Sequence, residues 1–236
     1  MKPTVKVSWS GGKDSTCAVL LHLESGHKVK AVNYTPMFTE EIPLLLKNHY
    51  EFIQKTAERF RDWGAEVYMV TGMTYCDYVL RRKTKGADKG GIMGFPCFIP
   101  RMCKFKNFSK ERALHRCDVG QYDYEDIGIA YDEKLRQKQL NEKVRSILVE
   151  YKITEEQAME ICKINNLVSP LYEHYKRDGC TLCPNAPKRE REQWFREYPE
   201  AVPILKELQD KVRAEKPEQS PLRNHEWFLQ GGQNEE

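Results

Sequence analysis

The sequence predicts an α/β fold with a doubly wound, mainly parallel sheet and a helical, cysteine-containing C-terminal part. Short β-branched runs alternate with longer helix-patterned segments over roughly the first 70 residues, and a glycine stands at the end of each of these helices. Such alternation is typical of a parallel sheet that has helices on both faces. At 236 residues, the chain is long enough to bury a core without disulfides.

The elements of the first part follow from hydrophobic periodicity and from helix stop signals. They are a strand over Val5–Trp9, a helix over Ser15–Glu24, a strand over Lys28–Tyr34, a helix over Pro43–Trp63 and a strand over Glu66–Val70. Gly26 and Gly64 end the two helices, because glycine tolerates the backbone conformation that closes a helix.

The second part of the chain is less regular. A glycine-rich segment, Lys83–Pro96, interrupts the alternation and is expected to form a mobile loop. A short helix over Ser109–His115 and a strand over Asp126–Ala130 follow. Thr154 and Gln157 match a capping box, which predicts the start of another helix.

Three regions are expected along the chain. Residues 1–150 would form the sheet domain and residues 151–215 a helical lobe that contains a Cys-x-x-Cys pair. Residues 216–236, which are rich in Pro, Gln, Asn and Glu, would form a flexible tail.

Composition restricts the class of protein. Lys+Arg is 38 and Asp+Glu 35, so the net charge of +3 neither demands nor excludes a nucleic-acid partner. No window approaches the ~18 uninterrupted apolar residues of a membrane span, and Met1 leads directly into a polar segment. We therefore expect a cytoplasmic protein without a membrane partner. Eight cysteines in such a chain favour metal or redox chemistry over disulfides.

The segment SGGKDS directly follows the first predicted strand. In a parallel α/β sheet, ligands bind beyond the carboxyl ends of the strands, where a helix N-terminus offers N–H groups and a positive dipole. Gly11 and Gly12 let the backbone fold around an anion. Ser10 and Ser15 add hydroxyl donors, and Lys13 adds a positive charge suited to phosphate oxygens. The segment is therefore a candidate phosphate-binding turn.

Two familiar phosphate motifs, G-x-x-x-x-G-K-[ST] and G-x-G-x-x-G, do not fit this turn. SGGKDS instead resembles the PP-loop of the Rossmann-like adenine nucleotide α-hydrolase superfamily, whose members cleave ATP between the α and β phosphates. The resemblance implies catalytic roles for Lys13, which would hold pyrophosphate, and for Asp14, which would help to place Mg²⁺. It implies that ATP also contacts Asn33 at the end of the second strand, in addition to the turn residues Ser10, Gly11, Gly12, Lys13, Asp14 and Ser15.

The cysteines form a second candidate site. Cys180 and Cys183 stand in GCTLCP, a spacing that lets one turn present two thiolates to a single metal. Two more ligands are needed, and the leading set adds Cys97 and Cys103, with Cys117 in reserve. Four thiolates suit either a [4Fe-4S] cluster or zinc, and spacing alone does not choose between them.

The remaining cysteines and two of the histidines have simpler interpretations. Cys17, Cys76 and Cys162 lie in apolar or helical segments and are expected to be small core residues. His22 and His27 flank the first helix and are expected to be solvated.

Longer segments around the cysteines resemble the phosphoadenosine phosphosulfate reductase family in its broad sense. They are GFPCFIPRMCKFKNFSKERAL, IGIAYDEK and SPLYEHYKRDGCTLCP, and with the PP-loop the resemblance runs from about residue 5 to 210. It implies a [4Fe-4S] cluster, held by a Cys-Cys pair and a later Cys-x-x-Cys, with Cys103, Cys180 and Cys183 at matching positions. Met102 stands where the first cysteine of the pair would be, so another cysteine must supply that ligand.

Departures from the reductase pattern point to the reaction. No cysteine follows Cys183, and Ala130 stands where the family motif has arginine. Lys13 is present, whereas sulfonucleotide reductases commonly lack this lysine. We therefore expect an enzyme that cleaves ATP to AMP and pyrophosphate to activate a substrate, coupled to sulfur transfer through the cluster. The alternatives are a sulfonucleotide reductase that uses an external thiol and a non-catalytic nucleotide-binding accessory protein.

Charged residues near the predicted sites suggest partners. Lys106, close to Cys103, is a candidate catalytic residue that would bind a sulfate, phosphate or activated acyl group of the unidentified substrate. The basic segments RRKTKGADKGG and PRMCKFKNFSKER make tRNA or DNA a candidate partner, and the helical C-terminal part makes a homodimer a candidate assembly. Asp132 and Glu133 would support a metal or a proton transfer, with helix capping as the alternative for Asp132.

Overall fold

A computed structural model describes residues 2–96, 103–183 and 185–216 of the chain. Its centre is a five-stranded parallel sheet in the order β3-β2-β1-β4-β5. The strands are β1 (Thr4–Trp9), β2 (Lys28–Tyr34), β3 (Glu66–Val70), β4 (Tyr124–Ile127) and β5 (Val144–Arg145). Helices flank the sheet, which confirms the predicted doubly wound α/β class.

The strand order places a switch point beside β1. The chain moves outward from β1 through β2 to β3 and then returns to the other side of β1 as β4. Val5 pairs in register with Val29 of β2 and with Tyr124 of β4. Val5 and Val7 are fully buried, as expected for a central strand covered on both faces. In open α/β sheets, ligands bind at this kind of switch point, beyond the carboxyl ends of the strands.

The helices lie between and after the strands. They are α1 (Lys13–Glu24), α2 (Lys47–Asp62), α3 (Tyr75–Leu80), α4 (Lys104–Lys106), α5 (Arg112–Arg116), α6 (Ile147–Glu150), α7 (Glu155–Ile164), α8 (Lys188–Glu197) and α9 (Ala201–Glu215). A π-helical turn over Asn107–Glu111 joins α4 to α5, and α1 packs against α6 and α7. None of the helices in the described ranges is both long and apolar enough to cross a membrane.

Several boundaries agree with the sequence prediction. β2 and β3 have the predicted bounds, and α7 begins with the predicted capping box. Thr154 accepts a hydrogen bond from the Gln157 amide, and the Gln157 side chain accepts one from the Thr154 amide at 3.0 Å. The box therefore pairs two amides that the start of a helix leaves without partners.

The predicted start of α2 was wrong. The sequence predicted a helix from Pro43, whereas α2 begins at Lys47. The residues just before it are apolar because they belong to a different core, in which Phe38, Leu44 and Leu46 are buried. The apolar residues before Lys47 were therefore mistaken for the first turn of the helix, although they are not helical.

The glycine-rich segment Lys83–Pro96 folds back on the residues before it, and its mobility stays a prediction. The Lys83 amide donates to the Gly91 carbonyl at 2.8 Å, and the Met93 amide donates to the Arg81 carbonyl at the same distance. These bonds pair backbone groups that an open loop would leave to solvent.

The chain forms two compact units, each built from several segments. The first contains the sheet and comprises Met1–Thr35, Asn48–Val70 and Leu114–Asp178. The second comprises Pro36–Lys47, Thr71–Ala113 and the residues from Gly179 onward. These units alternate along the chain, whereas the sequence predicted consecutive regions, with the sheet domain ending at residue 150 and the helical lobe at residue 215. The difference arises because segments that leave the sheet between its strands pack with the C-terminal helices.

Aromatic residues dominate the core of the second unit. The rings of Phe38 and Trp194 meet edge to face, with centroids 5.4 Å apart, and Trp194 donates from Nε1 to the Pro43 carbonyl at 2.8 Å. The Thr181 amide donates to the Leu44 carbonyl at 3.0 Å. These bonds attach the segment before α2 to the C-terminal part of the unit. The predicted tail over 216–236 lies, from residue 217, outside the described residues.

Candidate functional site

The segment SGGKDS forms the turn between β1 and α1, as predicted, and its backbone conformation favours glycine at position 11. Gly11 has a φ of +84°, a conformation that side chains rarely adopt. Gly12 is the N-cap of α1, and a Cβ atom at this position would lie 2.0 Å from Asp178 Oδ2. We refer to residues Ser10–Ser15 as the glycine turn.

Hydroxyl groups cross-link the glycine turn. Ser15 Oγ accepts from the Ser10 amide at 3.0 Å and donates to the Gly12 carbonyl at 3.1 Å. The Gly12 amide donates to Ser10 Oγ at 3.3 Å, and Ser10 Oγ donates to Asp178 Oδ2 at 3.2 Å. The Asp178 carboxylate therefore accepts a hydrogen bond from Ser10, a hydroxyl group that the sequence predicts to donate to a bound anion.

Tyr172 pairs with another donor of the turn. Its hydroxyl oxygen accepts from the Lys13 amide at 3.1 Å and lies 3.2 Å from where a Gly12 Cβ would be. Burial raises the pKa of Tyr172, and the charge of Asp178 raises it further, so the hydroxyl stays protonated. Protein groups thus pair donors that the sequence predicts would face a bound anion.

Lys13 lies at the first position of α1 between two carboxylates. Its Nζ is 2.8 Å from Asp14 Oδ2 and 2.7 Å from Glu155 Oε2. Burial lowers the pKa of Lys13, but the two carboxylates outweigh it and the net shift is upward. Burial also raises the pKa of Asp14, against the opposing effect of Lys13. The site therefore combines the positively charged Lys13 side chain, fixed by two ion pairs, with the partly buried carboxylate of Asp14.

The carboxylates at the turn match the ligands that Mg²⁺ prefers. Mg²⁺ is usually bound through one or two carboxylates together with phosphate oxygens of the substrate. Asp14 and Glu155 contact the same ammonium group, so their side chains lie close together. In the described ranges, no three His, Cys, Asp or Glu side chains form a metal site by themselves. Asp14 as a Mg²⁺ ligand would therefore need phosphate oxygens of a substrate to complete the coordination.

The segment IGIAYDE lies against the glycine turn. A Cβ atom on Gly128 would lie 2.6 Å from the Ser15 backbone nitrogen, so only glycine lets the end of β4 pass α1 at this distance. Asp132 accepts from the Glu155 amide at 3.1 Å, which confirms the capping alternative for this residue. Glu133 accepts from the Ala130 amide at 3.1 Å and pairs with Arg136 at 2.7 Å. Both carboxylates thus have structural partners.

Asn33 is fully buried at the end of β2. Its Nδ2 donates to the Trp9 carbonyl at 3.0 Å, and its Oδ1 accepts from Thr35 Oγ1 at 3.0 Å. These bonds tie the end of β2 to that of β1 and support the edge of the sheet from which the glycine turn begins. Direct contact between the Asn33 side chain and a nucleotide remains a prediction.

The described residues of the candidate cysteine site lie in the second unit. Cys103, Cys180 and Cys183 all belong to this unit, and Cys97 lies outside the described residues. The Cys183 amide donates to the Cys180 carbonyl at 3.1 Å, which closes the Cys-x-x-Cys turn. Burial raises the pKa of Cys103, and the neighbouring Cys183 raises it further.

The thiols of this set suit zinc or an iron–sulfur cluster in donor chemistry. Three of the four predicted ligands are described, and these three do not converge into a metal site in the described structure. Cys117 belongs to the first unit, where burial raises its pKa and its charged neighbours are Lys6 and Asp118. Cys103, Cys180 and Cys183 therefore share one unit, but they do not form a metal-binding cluster in the described structure.

Comparison with protein-family models and with curated proteins found no match. The resemblance to the PP-loop and reductase families therefore stays a hypothesis.

The predictions about buried and solvated residues had different outcomes. Cys17 and Cys162 are fully buried, as predicted, whereas Cys76, which was also predicted to be a core residue, is only half-buried. Cys162 Sγ donates to the Lys13 carbonyl at 3.3 Å. The prediction that His22 is solvated was wrong, because its Nε2 lies 3.0 Å from Asp126 Oδ2 and both side chains are fully buried. The polar residue Asp126 on β4 faces α1 and gives the histidine a partner within the core.

Lys106, the third predicted catalytic residue, lies at the end of α4 in the second unit. Its side chain is 59% exposed, and its Nζ is 3.6 Å from Glu111 Oε1. The distance and exposure indicate a weak ion pair, so this ammonium group can exchange its partner for an anionic substrate.

Sequence reasoning missed His49 on α2. Its side chain is almost completely buried, and Nδ1 lies 2.8 Å from Ser169 Oγ. The Cε1 atom lies 3.5 Å from where a Gly11 Cβ would be, which places the ring against the glycine turn. No motif surrounds this histidine in the sequence, so only the fold reveals its position.

Proposed function

We propose that this chain binds ATP at the glycine turn and cleaves it to AMP and pyrophosphate in order to activate a substrate, with the reaction coupled to sulfur transfer. The observation that carries this proposal is the position of Lys13. Its ammonium group is largely buried at the N-terminus of α1, directly after two glycines and beside the carboxylates of Asp14 and Glu155. A helix N-terminus and a fixed lysine together suit a phosphate chain.

The proposed reaction begins at the α-phosphorus. A substrate oxygen attacks this atom, the bond to the oxygen that bridges the α and β phosphates breaks, and pyrophosphate leaves with the bonding electrons. Lys13 and the first amides of α1 stabilise the charge that develops on the leaving group. Mg²⁺, for which Asp14 is the proposed protein ligand, supplies further charge neutralisation when bound. A sulfur nucleophile then displaces AMP from the adenylated substrate.

Nucleotide binding at the turn requires an exchange of partners. Lys13 gives up contacts with Asp14 and Glu155 in favour of phosphate oxygens, and its backbone amide gives up Tyr172. Asp178 must withdraw from Ser10, because a carboxylate and a phosphate oxygen repel each other at this distance. The internal bonds of the turn thus compete with the proposed ligand for the same donors.

The cysteines of the second unit would supply the sulfur chemistry. The proposed ligands of a [4Fe-4S] cluster, with zinc as the alternative, are Cys97, Cys103, Cys180 and Cys183. Such a cluster would carry or activate the incoming sulfur when bound. Its support here is limited to the Cys-x-x-Cys turn and to the electrostatic effect of Cys183 on Cys103.

A basic and aromatic cluster in the second unit supports tRNA or DNA as the candidate substrate. The ring of Phe108 lies 5.0 Å from the guanidinium carbon of Arg81 and 4.0 Å from that of Arg112. Arginine beside an aromatic ring provides both a charge for phosphates and a surface on which bases stack. Lys106 belongs to the same helical segment.

Product analysis tests the proposal. ATP labelled at the α-phosphate would be incubated with the anaerobically purified protein, Mg²⁺ and bulk tRNA, and the products separated as AMP, ADP and intact nucleotide. We expect AMP and an equal amount of pyrophosphate from the wild type and neither from Lys13→Met. Formation of ADP and phosphate would contradict the proposal. Release of sulfite from a sulfonucleotide, without consumption of ATP, would support the reductase alternative instead.

A further inference from the structure

One buried nitrogen beside the glycine turn has no role in the proposed function. His49 is 1% exposed, and its Nε2 has no hydrogen-bond partner within the described part of the chain. Nearly all buried polar side-chain atoms in proteins have a partner, and an unpaired one destabilises the folded protein. An unpaired atom beside a candidate binding site therefore points to a ligand.

Two contacts hold the imidazole ring in place. Nδ1 lies 2.8 Å from Ser169 Oγ, and this hydroxyl oxygen already accepts from the Leu171 amide at 3.2 Å. When the hydroxyl donates its hydrogen to Nδ1, the ring proton of the neutral imidazole is on Nε2. The ring also stacks on Phe52, with centroids 6.3 Å apart and planes 13° from parallel. In this tautomer, Nε2 is a hydrogen-bond donor whose position the ring contacts fix.

The ring faces the glycine turn. Its Cε1 atom lies 3.5 Å from where a Gly11 Cβ would be, and Nε2 is bonded to Cε1. Ile53, four residues further along α2, fills the space where a Gly11 Cβ would be, with its Cγ1 2.5 Å from that point. The His49 ring lies beside this point at ordinary contact distance, so it borders the turn. A ligand oxygen that binds the turn next to the ring would meet the unpaired Nε2 atom.

The ring is neutral at physiological pH. Burial lowers the pKa of His49 to about 4, although the charge of Asp178 acts in the opposite direction. A neutral donor can bind an anion in a buried site without the cost of burying a second charge beside Lys13. The effect of Asp178 on this pKa also indicates that its carboxylate lies near the ring.

We propose that His49 is a ligand-binding residue of the glycine turn, and that its Nε2 donates a hydrogen bond to a phosphate oxygen of the bound pyrophosphate group. This inference rests on the proposed function, because it requires that the turn binds phosphate. The binding site would then include a side chain from α2 in addition to the glycine turn. Ser169, which caps the 3-10 helix Pro170–Glu173, would position that side chain.

Calorimetric titration with inorganic pyrophosphate in the presence of Mg²⁺ tests this assignment. His49→Phe keeps the aromatic ring but removes the donor, and we expect its affinity to fall about tenfold, as for the loss of one hydrogen bond to a charged group. His49→Gln offers an amide donor and should recover most of the affinity. His115→Phe, a change of an exposed histidine in the same unit, should bind like the wild type.

A spectroscopic measurement covers the case in which His49→Phe fails to fold. In the wild type labelled with ¹⁵N-histidine, addition of pyrophosphate should shift the Nε2 resonance of His49 and leave that of His115 unchanged. An unchanged His49 resonance in a protein that binds pyrophosphate would overturn the assignment, as would equal affinities of wild type and a folded His49→Phe. If the wild type binds neither pyrophosphate nor ATP, the proposed function fails first and the assignment fails with it.

Discussion

Lys13 and Glu155 form an ion pair of 2.7 Å although they lie 142 residues apart in the sequence. Asp14 contacts the same ammonium group. The positive charge of the glycine turn is therefore neutralised by carboxylates of the chain itself. Because the Glu155 side chain is 48% exposed, this pair contributes little stability and is easily exchanged for a ligand.

Removal of this competing carboxylate should strengthen anion binding. We expect Glu155→Gln to raise the affinity for pyrophosphate in the presence of Mg²⁺ about threefold, a change within the range of an exposed ion pair. Glu156→Gln removes the same charge from the next residue, which is exposed, and should have a smaller effect. Titration calorimetry measures both variants. A weaker affinity of Glu155→Gln would instead indicate that Glu155 helps to bind Mg²⁺.

Loss of the lysine should have the opposite effect. We expect Lys13→Met to weaken pyrophosphate binding at least about tenfold, because a charged hydrogen-bond donor at the helix N-terminus disappears. Lys163→Met on α7 removes an exposed lysine that pairs with Glu160 and serves as the control. If both variants bind equally well, the turn is not the site at which pyrophosphate binds.

The close approach of β4 to α1 predicts a stability effect. A Cβ at Gly128 would lie 2.6 Å from a backbone nitrogen of α1, so we expect Gly128→Ala to lower the free energy of unfolding by about 1–3 kcal/mol. Gly91→Ala is the control, since its nearest atom would be 3.3 Å away in the glycine-rich segment. Urea denaturation compares the two, and equal unfolding midpoints would contradict so close a passage of β4 beside α1.

Burial of neutral His49 predicts a dependence of stability on pH. Its pKa is about 4 in the folded protein and ~6.5 in an unfolded chain. Between these values the unfolded chain binds more protons, so stability falls as the pH falls. The expected loss is roughly 2 kcal/mol at pH 5 relative to neutral pH.

Denaturation of wild type and His49→Gln at neutral pH and at pH 5 isolates this contribution, because glutamine does not titrate. The wild type should lose more stability than the variant between the two pH values. Equal losses would show that His49 is not held in the neutral form. The carboxylate of Asp178, whose charge acts on His49, is common to both proteins and cancels in the comparison.

Metal content distinguishes the fourth cysteine ligand. We expect anaerobically purified wild type to contain about four irons per chain, as for a [4Fe-4S] cluster, and Cys180→Ala to lose them. Of Cys97→Ala and Cys117→Ala, the variant that loses iron identifies the remaining ligand. One zinc per chain would indicate a structural zinc site in place of the cluster. Absence of metal from the wild type would contradict the sulfur-transfer part of the proposal.

Local features of the fold could be predicted from the sequence. The bounds of β2, Lys28–Tyr34, followed from β-branched residues next to a helix-ending glycine. The capping box of α7 also depends only on neighbouring residues. The start of α2 could not be predicted in this way, because its preceding apolar residues belong to the core of the second unit. Which core an apolar run joins depends on tertiary packing.

The candidate site shows the same division. Consecutive residues form the glycine turn, so its position between β1 and α1 could be predicted from six letters of sequence. Tyr172, Asp178 and His49 reach the turn from distant segments, and no local pattern marks them. Conversely, Asn33 was expected to face the nucleotide, and only the structure shows its two internal hydrogen bonds.

The carboxylate of Asp178 over Gly12 has a consequence for selectivity. An anion that enters the turn must first expel a group of its own charge, so a bare phosphate or sulfate ion meets repulsion at the entrance. A nucleotide that arrives with its own divalent cation carries the compensation with it. We therefore expect the site to bind metal-complexed nucleotides in preference to bare inorganic anions, a discrimination that no residue of the glycine turn provides alone.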